Sequence, residues 1–283
     1  MTTINELIPR YWDYLENERA LRPASCTGYV SDLRRLARFL EDKPVEAIIR
    51  DDLRAYQRAM KEDGKAVGTI RRALHGFSTF WGWLALERIT TDQAVRGLIM
   101  PRRRRKEPVF MSEDELRTFA STPTGSARES LAWGLFAWLG LRFREVFFLR
   151  AGDVKIEARE IISRESKGDD RTLPIPAALL EQLRAAVDGQ ADDHRLFDGW
   201  GKNSVYAAFY AHLARCGLDG HGYTFRSLRH SFVSHRLERG VPIHTVKELA
   251  GHKRIDTTAM YAHATSAGKR AAIEQSPLAE VMK

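Results

Sequence analysis

Apolar residues recur at three- and four-residue steps through the first hundred positions. Tyr29, Leu33, Leu36, Phe39 and Leu40 trace one such stripe, the pattern of an amphipathic helix. Tyr11, Leu15 and Leu21 come before Pro23-Ala24-Ser25, which reads as a turn. Asp51 or Asp52 is placed to cap a next helix ending near Gly64. Thr69 to Leu86 then carries Ile70, Leu74, Phe77, Phe80, Trp81 and Leu84 on one broad face, whose reading is core. Residues 1–98 are therefore expected to be helical throughout.

The pattern changes in the second half. Ser112-Glu113-Asp114-Glu115 is a capping box at a helix start. Leu131 to Leu141 is almost wholly apolar and reads as a buried helix. Glu160 to Glu165 and Arg171 to Ile175 are short runs flanking Lys167-Gly168-Asp169-Asp170, which predicts a hairpin. Helices are expected again at Ala177–Val187, Ser204–Cys216, Leu228–Arg239 and Pro242–Ala250. The fold class is mainly α: an all-helical N-terminal domain, then an α-rich domain with a small antiparallel sheet.

Between the halves lies Met100-Pro101-Arg102-Arg103-Arg104-Arg105-Lys106-Glu107-Pro108. Two prolines bracket five consecutive cations. Such a run repels itself and is expected to be an extended linker over residues 99–108, with the second domain at 109–283. Arg102, Arg103, Arg104, Arg105 and Lys106 are candidates for contact with phosphates, a strap between two halves that wrap a duplex.

Charge fits that reading. The 283 residues include 45 Lys+Arg against 37 Asp+Glu, a net charge of +8, which favours a polyanionic partner, nucleic acid first. Arg34, Arg35, Arg71 and Arg72 either face such a backbone or form a solvated surface. A hydrophobic fraction of 43% excludes disorder. Two cysteines far apart imply no disulfide framework, and a cytoplasmic location is expected. The N-terminus does not read as a signal peptide, and no apolar run approaches the ~20 residues of a membrane span.

Chemistry concentrates in the last 140 or so positions. Arg142 lies in Gly140-Leu141-Arg142-Phe143-Arg144-Glu145 and Lys167 at the hairpin tip. Arg226 and Arg229 lie in Arg226-Ser227-Leu228-Arg229-His230. His252 lies in Leu249-Ala250-Gly251-His252, and Tyr261 follows nine positions later. Arginines, a lysine and a histidine beside a tyrosine suit attack of a phenol on a phosphodiester. The cations neutralise the transition state, and one group protonates the leaving oxygen.

This order and spacing resemble the tyrosine recombinase family (phage integrase, Xer and Cre) over nearly the whole chain. The resemblance implies that Tyr261 is the nucleophile and forms a 3′-phosphotyrosyl ester. It implies that Arg142 and Arg229 clamp the phosphate, as planar bidentate guanidinium groups can. Glu145 would brace them from behind. Lys167 is the candidate general acid, and His252 would donate to a non-bridging oxygen or orient Tyr261. Arg144 and His230 receive structural or unknown roles. Gly251 is expected to end one helix and Asp256 to cap the next, with Tyr261 early in that helix.

Arg226 departs from the family pattern, which usually reads His-x-x-Arg here. Arginine keeps a donor and a charge but exchanges no proton near neutral pH. It serves if the position only stabilises phosphate; it handicaps the reaction if the position must act as acid or base.

The resemblance further implies double-stranded DNA as partner and a homotetramer assembled on two sites through a Holliday junction. An accessory protein or partner recombinase remains open. Ala271 to Lys283, with Ile273, Leu278, Val281 and Met282, would dock on a neighbouring protomer. No cofactor is implied, and no metal: the nine histidines do not pair with cysteines or acids at ligand spacings. The start of the chain looks like the core-site-binding domain, which favours a Xer- or Cre-like enzyme over an arm-binding integrase. Two other readings compete. One is a DNA-binding protein without catalysis, gripping through a helix-turn-helix at Leu228–Ala250. The other is a type IB topoisomerase, which shares the phosphotyrosine chemistry.

Overall fold

Thr3 and Glu6 start the first helix, α1 (Ile4–Asp13), by exchanging caps: the Thr3 N–H donates to Glu6 Oε2 at 2.8 Å and the Glu6 N–H to Thr3 Oγ1 at 3.3 Å. In this computed structural model, residues 2–102, 108–164 and 170–261 are described. The chain divides into two units, Met1–Arg105 and Lys106–Lys283. The hairpin tip with Lys167, the linker cations Arg103 to Lys106 and the tail Ala271 to Lys283 lie outside the described residues.

The first unit is helical, as its periodicity predicts. After α1 come α2 (Pro23–Phe39), α3 (Arg50–Glu62) and α4 (Val67–Leu86). Tyr11, Leu33, Leu36, Leu53, Leu74, Phe77, Phe80 and Trp81 are fully buried between them. Pro23-Ala24-Ser25 is not a turn but the first turn of α2. Proline suits that position, because its fixed φ is helical and its missing N–H would have had no partner there. Asp52 sits inside α3 rather than before it and accepts from the Ile49 N–H at 2.9 Å.

Three of the four arginines expected at this unit's surface are engaged internally. Asp32 is 2% exposed. It accepts two hydrogen bonds from Arg72, at 3.1 and 3.0 Å, and one from Arg35 at 3.2 Å. A carboxylate so buried is tolerable only when paired in this way. Arg71 donates to the Pro101 carbonyl at 2.7 Å.

The second unit is built around α6 (Ala127–Leu139), which is apolar from Leu131 on and buries Leu131, Ala132, Trp133, Leu135, Phe136 and Leu139. Before it comes α5 (Glu113–Ser121), with the expected capping box at Ser112 and Glu115. After it come α7 (Phe143–Phe147), β1 (Val154–Lys155), β2 (Glu160–Ser163), β3 (Arg171–Pro174), α8 (Ala177–Val187), α9 (Lys202–Arg215), α10 (Phe225–Glu238), α11 (Ile243–Ala250) and α12 (Ile255–Ala259). The sheet is antiparallel in the order β1-β2-β3; β1 is an extra strand that the periodicity does not reveal. Val154, Ile161 and Leu173 are in register and turn one face to the core. Phe136, Phe209, Phe225 and Leu228 join α6, α9 and α10 at its centre.

Gly140 ends α6 in the left-handed conformation, φ +58°. A Cβ there would lie 2.6 Å from Phe232 Cδ1. Its carbonyl accepts from Arg229 at 2.5 Å, so this turn also supports the site described next. Gly140→Ala is expected to destabilise the second unit by about 2–4 kcal/mol, through left-handed strain and overpacking together. Urea unfolding followed by tryptophan fluorescence checks this; an unchanged midpoint would contradict it.

Candidate active site

Arg142 occupies the N-cap of α7, immediately after the Gly140 turn. Glu145, one turn on, reaches back: its Oε2 accepts from the Arg142 backbone N–H at 2.8 Å and its Oε1 from Arg142 Nη1 at 2.6 Å. From the far side Arg171, at the start of β3, donates to the same two oxygens at 3.0 and 2.8 Å. Burial alone would raise the Glu145 carboxyl. The hydrogen bonds and charge of Arg171 and Arg142 outweigh it and hold the group below the usual carboxylate range.

All three cations converge on the end of α11. The carbonyls of Leu249, Ala250 and Gly251 have no helical partner left, and each receives an arginine. Arg171 Nε donates to Leu249 O at 3.2 Å, Arg229 Nη2 to Ala250 O, and Arg142 Nη2 to Gly251 O. Positive charge at this end also suits the helix dipole. Gly251 turns left-handed at φ +62°, as its position predicts. A Cβ there would lie 2.6 Å from Arg171 Nη1, so a side chain would have to displace the Arg171 guanidinium as well as adopt a left-handed backbone.

Arg229 projects from α10 and is 9% exposed. Burial, then the neighbouring Arg142 charge, pulls its guanidinium down to about 9, still cationic at neutral pH. Arg142 is the more open of the pair, its side chain 37% exposed.

His252 follows Gly251 directly, 8% exposed. Its Nδ1 lies 2.8 Å from the Thr258 hydroxyl. Burial and the charges of Arg229, Arg142 and Arg171 push the ring down to about 3, so it is neutral. When Thr258 donates to Nδ1, the ring proton is on Nε2.

Tyr261 is 5% exposed and packs with Phe232, Val233, Val246 and Ala250 in a small core of its own. Its hydroxyl is hydrogen-bonded to His230 Nδ1, and the two rings are 5.3 Å apart between centroids. Burial pushes the phenol above its ordinary value while Arg229 pulls the other way. His230 is lowered to about 4, by burial first and then by Arg229 and Arg226.

Arg142, Glu145, Arg229, His252 and Tyr261 are thus brought together from α7, α10, the α11–α12 turn and the segment after α12. Arg226 lies on the first turn of α10 and is exposed. Arg102 is exposed in the first unit. Lys167 and the other linker cations lie outside the described residues.

Two local expectations change. Asp256 does not cap α12; Arg254 holds that position and Asp256 pairs with it at 2.7 Å from within the helix. Tyr261 lies just beyond α12, not early in it, because the helix is only five residues long.

Two residues of the cluster were not singled out for it from the sequence. Arg171 shares its strand face with Leu173, so period-two parity points it inward. His230 stands four residues after Arg226 and three before the buried Val233, on the α10 face that turns to Tyr261.

Comparison with known proteins now bears on these observations. The family described as "Phage integrase family" matches residues 110–267, and "Phage integrase, N-terminal SAM-like domain" matches residues 8–88. Tyrosine recombinase XerA of Thermococcus onnurineus is 31% identical, over 99% of this chain and 98% of that protein. Among solved structures, the Tn1549 transposon integrase in complex with circular intermediate DNA superposes with a TM-score of 0.76 at 18% identity, over 97% of this chain and 100% of that one. A lambda integrase dimer bound to a COC′ core site gives 0.75 at 18% identity, over 94% and 97%. At such identities these two structures support the shared fold alone.

The buried neutral histidines make the second unit acid-sensitive. Unfolded, each would titrate near 6.5. Folded, His252 and His230 bind protons only at about 3 and about 4. The unfolded chain therefore binds more protons below pH ~6.5, and stability is lost as the pH falls through that value toward the folded ones, roughly 1–2 kcal/mol per histidine by pH 5. His252→Asn is expected to reduce proton uptake on unfolding by about one between pH 5 and 6.5. Urea midpoints across that range measure it; parallel pH curves for the two proteins would contradict it.

Proposed function

We propose that this chain, which belongs to the phage integrase family, is a site-specific tyrosine recombinase that cuts and rejoins DNA through a covalent bond to Tyr261. The observation that carries the reading is the convergence of Arg142, Arg229, His252 and Tyr261 at one helix end within a chain of this family.

The chemistry follows from the donors. A phosphodiester seated at the end of α11 would meet Arg142 and Arg229, whose charges offset what builds on the non-bridging oxygens in the transition state. His252 would add a neutral donor to the same oxygens through Nε2. The Tyr261 oxygen attacks phosphorus, the 5′-oxygen leaves with a proton from Lys167, and the 3′ end stays on the tyrosine. The ester conserves the bond energy, so a 5′-hydroxyl from another strand can reverse the step without ATP. Arg226 assists through charge alone. In this reading four protomers act on two DNA sites, the strands exchange in pairs through a Holliday junction, and the basic linker lies on phosphates.

Incubation with nicked duplexes from the gene's flanking region, in EDTA and followed by a denaturing gel, tests the proposal. The parent protein should form a covalent adduct. Tyr261→Phe should bind the same DNA and form none; cleavage by that variant would remove Tyr261 as nucleophile. No adduct from the parent despite binding would favour a DNA-binding role without catalysis.

Arg142→Ala and Arg229→Ala should each lower the cleavage rate roughly a hundredfold or more, as loss of one oxyanion donor does. Single-turnover cleavage measures this; near-parental rates would exclude that residue from the clamp.

A further inference from the structure

A buried phenol is a poor nucleophile until its proton leaves, and the departure at Arg226 removes one place for it to go. Guanidinium has no acceptor nitrogen, and Arg226 is exposed. Arg142 and Arg229 are cations that only donate. His252 has its Nδ1 occupied by Thr258. Among the described residues, the hydrogen bond of the Tyr261 hydroxyl is to His230 Nδ1.

We propose that His230 is the proton acceptor for Tyr261 in strand cleavage and returns the proton in ligation, an inference that rests on Tyr261 being the nucleophile proposed above. In cleavage the phenol O–H proton passes to His230 Nδ1 as the phenolic oxygen bonds to phosphorus. The bond from phosphorus to the 5′-oxygen breaks, and that oxygen takes its proton from the general acid, Lys167 in the reading above. In ligation a 5′-hydroxyl attacks the phosphotyrosine, its proton goes to the same acid group, and the leaving phenolate recovers its proton from His230.

The surroundings fit this task. His230 is held by the fold: it lies on α10 one residue after Arg229, so the acceptor and a clamp arginine move as one body. The charged and titratable groups facing it are Arg226 and Arg229 on its own helix, Tyr261 beyond α12, and His252 between α11 and α12. Burial first, and then the two arginines, keep the ring neutral, hence able to accept. An incoming phosphate brings negative charge against the same arginines and raises the basicity of the ring when DNA is bound. Neutral His230 is thus an acceptor that strengthens on substrate binding.

The proton role and a merely positional one separate in two variants. Asn at 230 can place its amide oxygen near the Nδ1 position and keep a hydrogen bond to the phenol, but it cannot take the proton. Ala removes both. Each is compared with the parent in single-turnover cleavage of a nicked duplex carrying the site mapped from the parent's adduct, between pH 6.5 and 9. Under the proposal both variants lose roughly 10²–10³-fold at pH 7, the scale of one general base. The loss then shrinks about tenfold per pH unit, as hydroxide replaces the missing acceptor. A 5′-bridging phosphorothiolate, whose sulfur leaves without needing a proton, should restore Lys167→Ala and leave both His230 variants slow. His230→Asn at the parental rate, or a loss constant across pH, would reduce His230 to a holding contact and overturn the proposal. Rescue of His230→Asn by the sulfur substrate would overturn it as well, by moving the defect to the leaving group. An absence of adduct from the parent protein would instead overturn the recombinase reading, and this inference with it.

Discussion

The C-terminal end of α11 is the point on which the second unit's chemistry hangs. Three backbone carbonyls, of Leu249, Ala250 and Gly251, would be left without partners by the end of the helix. Arg171, Arg229 and Arg142 satisfy them one each. Three guanidinium groups this close repel one another, and the Glu145 carboxylate between two of them makes the cluster tenable. The same hydrogen bonds that finish the helix hold an array of positive charge in place, and it is this fixed array that the proposed phosphate clamp would draw on.

Tyr261 is governed by a different balance. It sits in a small apolar cluster shared by α10 and α11, with its hydroxyl on His230. Burial favours the neutral phenol and so restrains it, while Arg229 favours the phenolate. The phenol is thereby kept neutral, close to the Arg229 charge.

The first unit shows how charge on a sequence can mislead. Arg35 and Arg72 stand on helical faces that read either as facing a DNA backbone or as a solvated surface. They in fact neutralise Asp32, an acid in the position of a core residue on α2. Arg34 keeps an exposed side chain on the same helix. Net charge favours a polyanionic partner, but which cations are available to one depends on where the buried acids fall.

Local rules fixed much of this protein. Stripes at 3.6-residue period placed the helices, the Ser112 box and the glycine at 251 marked helix ends, and motif spacing picked out Arg142, Arg229, His252 and Tyr261, because each of these depends on neighbours within a few positions or on short words of sequence. Tertiary structure decided the rest. It put Pro23 inside a helix, gave the N-cap of α12 to Arg254 rather than Asp256, and released Tyr261 from that helix. It brought Arg171 from a strand to Glu145, 26 residues away, and His230 to Tyr261, 31 residues away. A hydrogen bond across such separations is set by how α10, α11 and the sheet pack. Side-chain chemistry alone names the groups able to make it, and only the fold selects which of them meet.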